Sequence, residues 1–325
     1  MTRVRVALLL LMLSAIGQSP ARALSLQAGD ILLTTFSQSS GPAVLRVDPA
    51  TGQTDVVTSG GLLTAPEGLA IMPDGDLLVA NQDNYHDVGS LVTIDPSTGA
   101  QRVFASGGLL SQPYDVALAS NGDVFVADNH SIIRLDSTGS TQQTIYSYAP
   151  GFASVDVFSS TDLIVGHSYG AGAPGSLVDV NISSGKGKTL AVAKPFYGPD
   201  DLVVNPKDGS IYATAMASSS DITEVNPVTL SQRTVTSGVI STTFGIALAP
   251  DGSLVTTDGF GGLYRADPVT GAANLVASDP AFSTSFGVAV VAVPETSTLA
   301  ILALGLVLIG PIARSRSTGP VRPPR

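Results

Sequence analysis

The sequence predicts an all-β fold, a six-bladed β-propeller in which each blade is a sheet of four short antiparallel strands. A unit of about 45 residues recurs six times, and each copy alternates apolar runs with tight turns. The two ends of the repeated region supply complementary parts of one copy. The chain has 34 Gly and 21 Pro spread along its 325 residues, which favours short strands and turns over long helices.

The first half of each unit is a strand, a turn ending in Gly and a second strand. The clear copies read APEGLAIMPDGDLLVANQ from Ala65, SQPYDVALASNGDVFVADN from Ser111 and STTFGIALAPDGSLVTTDG from Ser241, and weaker copies begin at Phe152 and Tyr197. Equivalent positions in the first strands are Gly68, Asp115, Ser154, Asp201, Gly245 and Gly287. Two positions later, a small residue fits the narrow centre of a ring at Ala70, Ala117, Ala247 and Ala289, whereas the fourth blade has Asp156.

The second half of each unit is marked by a turn between two further strands. The turn reads Asp-Pro-x-Thr-Gly or a variant of it, and it begins at Asp48, Asp95, Asp136, Asn181, Asn226 and Asp267. Asp, Pro and Gly at these offsets are typical of hairpin turns. Each unit is therefore predicted to contain four strands, named A to D from the axis outwards.

The repeated region, residues 24–292, begins and ends inside one unit. The stretch AGDILLTTF from Ala28 opens a blade that lacks its first strand, and TSFGVAVV from Thr284 supplies one. Pairing of the N-terminal strands with this C-terminal strand closes the ring and leaves no open edge between the first and last blades.

The pattern Gly-Leu-Ala-x-x-Pro-Asp-Gly-x-Leu at Gly68 to Leu77, with a close copy at Gly245 to Leu254, carries a family resemblance. It resembles six-bladed propellers of the NHL and regucalcin/gluconolactonase type, over about residues 26–291. The resemblance implies the fold. It does not select a function, because such propellers include hydrolases, lyases and binding modules.

The first 23 residues predict a secretory signal peptide. Two Arg precede an apolar run from Val6 to Ile16, and Ala21-Arg22-Ala23 supplies the small residues of a cleavage site after Ala23. The alternative is an uncleaved anchor helix, for which the apolar run is short.

Residues 293–325 are predicted to form a second targeting signal, at the C-terminus. They contain Val293-Pro294-Glu295, an apolar stretch predicted as a membrane helix over about 299–313, and terminal arginines. This arrangement resembles the PEP-CTERM sorting tail, although Thr296 stands where that tail has its second Pro. The resemblance implies processing by an exosortase-type protease in a Gram-negative bacterium that makes exopolysaccharide. The protein would be held transiently in the inner membrane and would end in the periplasm, at the outer membrane or cell surface, or in the extracellular matrix.

The connections between strands divide between two faces of the predicted ring. The A–B and C–D turns form one face, the turn face, and the D–A and B–C connections form the other, the loop face. Acids of the turn face recur from blade to blade, so we expect them to cap turns. The loop face varies between blades, so we expect any site there.

Six polar residues near strand ends on the loop face are candidate metal ligands. Their oxygens suit a hard cation, for which Ca²⁺ fits best, and they are Glu67, Asn81, Asp115, Asp128, Asp201 and Asp258. A divalent metal at the channel mouth is also what the regucalcin-like resemblance implies, through Glu67, Asn81 and either Asp128 or Asp201.

The three His of the chain, His86, His130 and His167, fall at B–C connections of consecutive blades. One interpretation is acid–base catalysis, and the other is chance placement in polar loops. The chain has no Cys, no phosphate-binding loop and no nucleophile elbow.

Charge excludes one class of partner. Between Arg22 and Arg314 lie nine Lys and Arg against 26 Asp and Glu, a net of −17, which argues against binding nucleic acid. The predicted function is an exported, surface-sorted module that binds a polysaccharide, a cation or a protein without catalysis. The alternative is a divalent-metal-dependent lactonase or lyase with its site at the channel mouth.

Overall fold

A computed structural model of the chain describes residues 24–37, 41–83, 88–148, 151–168, 175–192, 199–215, 221–236, 238 and 240–292. Within these ranges the chain forms six four-stranded antiparallel sheets, and the inner strand of each contacts the inner strands of its two neighbours. The prediction of a six-bladed propeller with four strands per blade is confirmed.

The blades follow one another in chain order. Blade 1 contains β1 (Ile31–Ser37), β2 (Gly41–Val47) and β3 (Thr54–Ser59). Blade 2 contains β4 (Ala65–Ile71), β5 (Leu77–Gln82), β6 (Ser90–Asp95) and β7 (Ala100–Ser106). Blade 3 contains β8 (Pro113–Leu118), β9 (Val124–Asp128), β10 (Ser131–Leu135) and β11 (Gln142–Ser147).

The second half of the ring has the same plan. Blade 4 contains β12 (Phe152–Val157), β13 (Asp162–Ser168), β14 (Ser176–Asn181) and β15 (Gly187–Val192). Blade 5 contains β16 (Pro199–Val204), β17 (Ile211–Ala215), β18 (Thr223–Val225) and β19 (Gln232–Thr234). Blade 6 contains β20 (Thr243–Leu248), β21 (Leu254–Asp258), β22 (Gly262–Ala266) and β23 (Ala273–Ser278), and a 3₁₀ turn (Pro280–Thr284) leads from it to β24 (Val288–Val290).

The core lies between the blades, because successive side chains of a strand point to opposite faces of its sheet. On β1, Ile31 and Leu33 pack against blade 6, whereas Leu32 packs against blade 2. Both faces of a blade are thus covered, which explains why the second strands are apolar runs rather than alternating ones.

The ring is closed by the two ends of the repeated region. The C-terminal strand β24 occupies the inner position of blade 1, with Leu32 opposite Ala289 in the antiparallel register. Val291 donates its backbone N–H to the carbonyl of Asp30 at 2.9 Å. The predicted pairing of N-terminal strands with a C-terminal strand is confirmed.

The C–D turns show why the repeat keeps glycine at one position. In blade 6 Gly271 has φ +72°, its N–H bonds the carbonyl of Asp267, and a Cβ there would lie 2.2 Å from the carbonyl oxygen of Val235 in blade 5. Blade 5 makes the same turn with Leu230 at φ +60°. This backbone conformation is strained for any residue that carries a Cβ.

The two turns give a paired prediction. We expect Leu230→Gly to raise the free energy of unfolding by about 0.5 kcal/mol, because relief of strain exceeds the added entropy of the unfolded chain. Gly271→Leu should lower it by about 2–3 kcal/mol, because strain and a clash with blade 5 combine. Urea titration measures both, and equal effects of the two changes would contradict the explanation.

Several predictions fall on residues outside the described ranges. These are the signal peptide at 1–23, the tail at 293–325 with its helix at about 299–313, and His86. Among the residues that the structure does describe, no helix is long and apolar enough to cross a membrane.

Candidate functional site

The inner strands surround a channel with a cavity of about 230 Å³. Asp115, Asp156 and Asp201 reach it from blades 3, 4 and 5. Around them the lining is mostly apolar, with Val116, Leu202 and Val288 among its members.

Each of these three aspartates joins its own blade to the next. Asp115 accepts hydrogen bonds from the backbone N–H of Val116 at 2.7 Å and of Val155 in blade 4 at 2.8 Å. Asp156 does the same with its own neighbour Val157 at 2.7 Å and with Val204 in blade 5 at 2.8 Å. Each carboxylate therefore accepts backbone N–H groups from two separate sheets and links them.

Asp201 makes the third bridge. It accepts from Leu202 at 2.8 Å and from Ile246 in blade 6 at 2.8 Å. The strand register shifts at both ends of this bridge, between Pro199 and Leu202 and between Thr243 and Ile246. Such shifts take N–H groups out of the ladder, and a buried N–H needs an acceptor. We call the three aspartates the blade clamps.

The absence of a side chain at Gly68 makes room for the first clamp. A Cβ at Gly68 would lie 2.4 Å from the carboxylate of Asp115. At this repeat position Gly68 admits the neighbouring carboxylate, and Asp115 and Asp201 bridge to the next blade, whereas blade 4 has Ser154 here and bridges from Asp156, two residues later.

Burial dominates the proton affinity of the clamps. It raises the pKa of Asp115 to about 7 and of Asp156 to about 6, and it raises that of Asp201 well above the usual range. Repulsion between carboxylates adds to the effect, while the backbone N–H donors oppose it.

The channel mouth on the loop face holds a further acid. A small void of about 20 Å³ is lined there by Glu67, Tyr114, Asp200 and Phe286 together with two of the clamps. Burial alone raises the pKa of Glu67 to about 8. Acids of raised pKa in a concave mouth are typical of functional sites, although structural groups also show them.

Glu67 gives a clean test of this burial. Since its folded-state pKa is raised, ionisation destabilises the fold as pH rises from 4.5 through 8. We expect Glu67→Gln to leave thermal stability unchanged at pH 5 and to raise it at pH 9 by on the order of 2 kcal/mol. Asp74→Asn, on an exposed turn, removes the same charge and should show no such pH dependence; a parallel gain in both variants would refute the assignment.

Three other predicted ligands are buried and serve the loops. The Oδ1 of Asn81 accepts from the backbone N–H of Thr64 at 2.8 Å. The carboxylate of Asp128 accepts from the N–H of Ser111 at 2.9 Å and from that of Gln112 at 3.1 Å. Asp258 accepts in the same way from Phe260 and Gly262. Side chains engaged in this way shape the loop face.

The two described His residues differ in environment. His167 is 3% exposed on β13, with its ring centroid 4.5 Å from that of Tyr148. The Tyr148 hydroxyl in turn donates to the carbonyl of Asp128. His130 is exposed before β10. The structure thus places His167 in a packed interior rather than in an open loop.

The six predicted metal ligands fall into two groups in the structure. The structure brings Glu67, Asp115 and Asp201 to one mouth, whereas Asn81, Asp128 and Asp258 bond their own loops. Within the described ranges, no three His, Asp or Glu side chains are grouped closely enough to hold a metal ion. A Ca²⁺ site stays a prediction.

Turn-face acids have the expected structural role. Asp48, Asp95 and Asp267 each accept the backbone N–H two residues later, at 2.8, 2.8 and 2.7 Å. The prediction that these residues cap turns is confirmed.

Sequence reasoning missed a cleft on that same face. A cavity of about 670 Å³ opens between blades 3 and 4, and we call it the turn-face cleft. Its walls include Leu118 and Arg134 from blade 3 and Asp156 and Ile182 from blade 4. Two features of the sequence mark the place: Asp156 lies in a position held by Ala in four other blades, and the A–B turn, FSSTD, lacks the Gly that ends this turn in the clear copies.

Comparison with known proteins gives the fold and no family. No protein-family model matches the chain, and no curated protein matches it in sequence. Among solved structures 942 chains match, so the architecture is too common to identify a function. One is a chain of the crystal structure of a nidogen/laminin complex, with a TM-score of 0.68 and 11% identity over 81% of this chain and 98% of that chain. The chain is a six-bladed β-propeller, and its resemblance to NHL and regucalcin-like propellers and to PEP-CTERM tails stays a prediction.

Proposed function

We propose that the protein is an exported, surface-sorted propeller that binds a partner without catalysis. The observation that carries this proposal is the use of its acids. Carboxylate oxygens accept hydrogen bonds from backbone N–H groups, and these bonds hold blades or loops together, in Asp115, Asp128, Asp201 and Asp258. Groups committed in this way stabilise a scaffold, and a rigid scaffold with variable loops is suited to recognition.

Export rests on the two ends of the sequence. Expression in a Gram-negative host that carries an exosortase-type protease tests it, with N-terminal sequencing and intact-mass measurement of the recovered protein. We expect a mature N-terminus at Leu24 and a cell-surface or matrix location, with the tail either intact in the membrane or cut near Pro294. A cytoplasmic product that retains Met1 would refute the proposal.

The partner class is a polysaccharide, a cation or another protein. A solved structure of similar fold comes from a nidogen/laminin complex, which supports protein binding as one of these uses. The acidic body favours cationic or neutral partners over anionic ones.

A metal-dependent lactonase or lyase is the second candidate. It is favoured by one observation, the raised pKa of Glu67 and Asp115 beside each other at the channel mouth. Titration with Ca²⁺, followed by melting temperature and by calorimetry, tests it. A rise in melting temperature that Glu67→Gln abolishes would support the metal site, and no rise at millimolar Ca²⁺ would exclude it.

A further inference from the structure

The turn-face cleft has the size of a small-molecule site. Its volume of about 670 Å³ lies within the range of about 300–1,000 Å³ typical of ligand pockets. It lies where the repeat is irregular: the A–B turn of blade 4 has no glycine, and its inner strand runs through without the register shift of its neighbours. Departures from a repeated pattern are where function is expected.

The floor of the cleft is apolar. Leu118, Val157 and Ile182 line it half-buried, above the buried ring of Phe125. Apolar side chains that a sheet normally covers are here open to a ligand, which gains by removing them from water.

The rim is rich in hydroxyl groups. Ser120, Ser160 and Ser183 are exposed around the opening, and Ser159 and Thr161 lie beside them. Asn121 adds an amide on the blade 3 side. Hydroxyl and amide groups donate and accept, so the rim suits a ligand with many hydroxyls of its own.

The charged residues of the lining are already compensated. The Nη2 of Arg134 lies 2.6 Å from a carboxylate oxygen of Asp123. Asp156 at the base accepts from two backbone N–H groups, of Val157 and Val204. An anionic ligand would find no free cation among these lining residues, and it would also meet the repulsion of the acidic body.

From the apolar floor, the hydroxyl rim and the compensated charge, we propose that the turn-face cleft binds a neutral oligosaccharide of two to four sugars. Sugar rings present apolar C–H faces to the floor and hydroxyls to the rim. This inference rests on the proposed binding function and gives it a site and a ligand class.

Binding of neutral cello- and malto-oligosaccharides to the purified full chain tests the inference, by saturation-transfer NMR and calorimetry. Ser160→Trp fills the cleft from an exposed turn position that makes no side-chain hydrogen bond among the described residues, and we expect it to weaken binding at least tenfold. Ala50→Trp, exposed on the turn face of blade 1, is the matched control and should bind as the native chain does.

Three outcomes would overturn the inference. They are equal binding by Ser160→Trp and the native chain, tighter binding of trigalacturonate than of neutral sugars, and no binding of any saccharide. The last result removes the ligand class alone, because partner capture on the cell surface tests the wider binding function separately.

Discussion

Asp201→Ala should lower the free energy of unfolding by about 3 kcal/mol at pH 5. The change leaves the N–H groups of Leu202 and Ile246 without their acceptor, and each buried, unpaired donor costs about 1–3 kcal/mol. It also severs the clamp between blades 5 and 6. Urea unfolding followed by circular dichroism gives the value, provided that the transition stays two-state.

The matched control is Asp74→Ala on an exposed turn of blade 2. Among the residues that the structure describes, its carboxylate accepts only a local N–H, from Asp76 at 3.2 Å, so we expect a loss below about 0.5 kcal/mol. If Asp201→Ala lowered the free energy of unfolding no more than this control does, the hydrogen bonds of Asp201 would not contribute measurably to stability.

Raising the pH from 5 to 8 should lower the stability of the native chain by on the order of 4 kcal/mol. The clamps hold protons more tightly when folded than when unfolded, so unfolding releases protons over this range. The stability they confer is complete below about pH 4 and is lost as pH rises through about 6 for Asp156 and 7 for Asp115. Melting temperature against pH measures the effect.

Acids on the turn face give stability the opposite dependence on pH. Hydrogen bonds from hydroxyls and N–H groups lower the pKa of Asp95 and of Asp251 to about 2, so their contribution is present above pH 4 and lost below it. The melting temperature should therefore peak near pH 4. The double variant Asp115→Asn/Asp201→Asn should be less stable overall and should lose less stability between pH 5 and 8 than the native chain, while Asp156 and Glu67 still titrate in or near this range; an unchanged slope would assign the pH dependence to other groups.

The ring could be predicted from sequence because its determinants are local and repeated. Each turn needs Gly, Asp or Pro at fixed offsets, and each copy that agrees with the others strengthens the inference. Closure by β24 followed from counting strands at the two ends of the repeated region. The role of Asp48 and Asp95 in capping turns is predictable for the same reason, because an Asx turn depends only on the Asp and the next two residues.

The clamps and the cleft could not be predicted in this way, because they depend on contacts between blades. Asp115 and Asp201 look like mouth ligands in sequence, and only the position of the neighbouring backbone shows that their oxygens are occupied. Asp156 departs from the repeat in sequence, but its partner, the backbone N–H of Val204, lies in another blade and cannot be assigned from sequence. The cleft arises where the irregular blade 4 meets blade 3, and no single copy of the repeat contains this contact.

The closing strand β24 also sets a limit on how this protein can be cut. The last backbone bond of the ring is made by Val291, two residues before Val293, where the predicted sorting tail begins. A protease that acts near Pro294 would therefore cut the chain only a few residues after Val291, which closes the ring through its hydrogen bond to Asp30. Cleavage four residues earlier would remove Val291 and part of β24 and leave blade 1 with an exposed inner edge. If the predicted tail is cut, the presence or loss of the pairing between β1 and β24 therefore reports on which side of Val291 the cut lies.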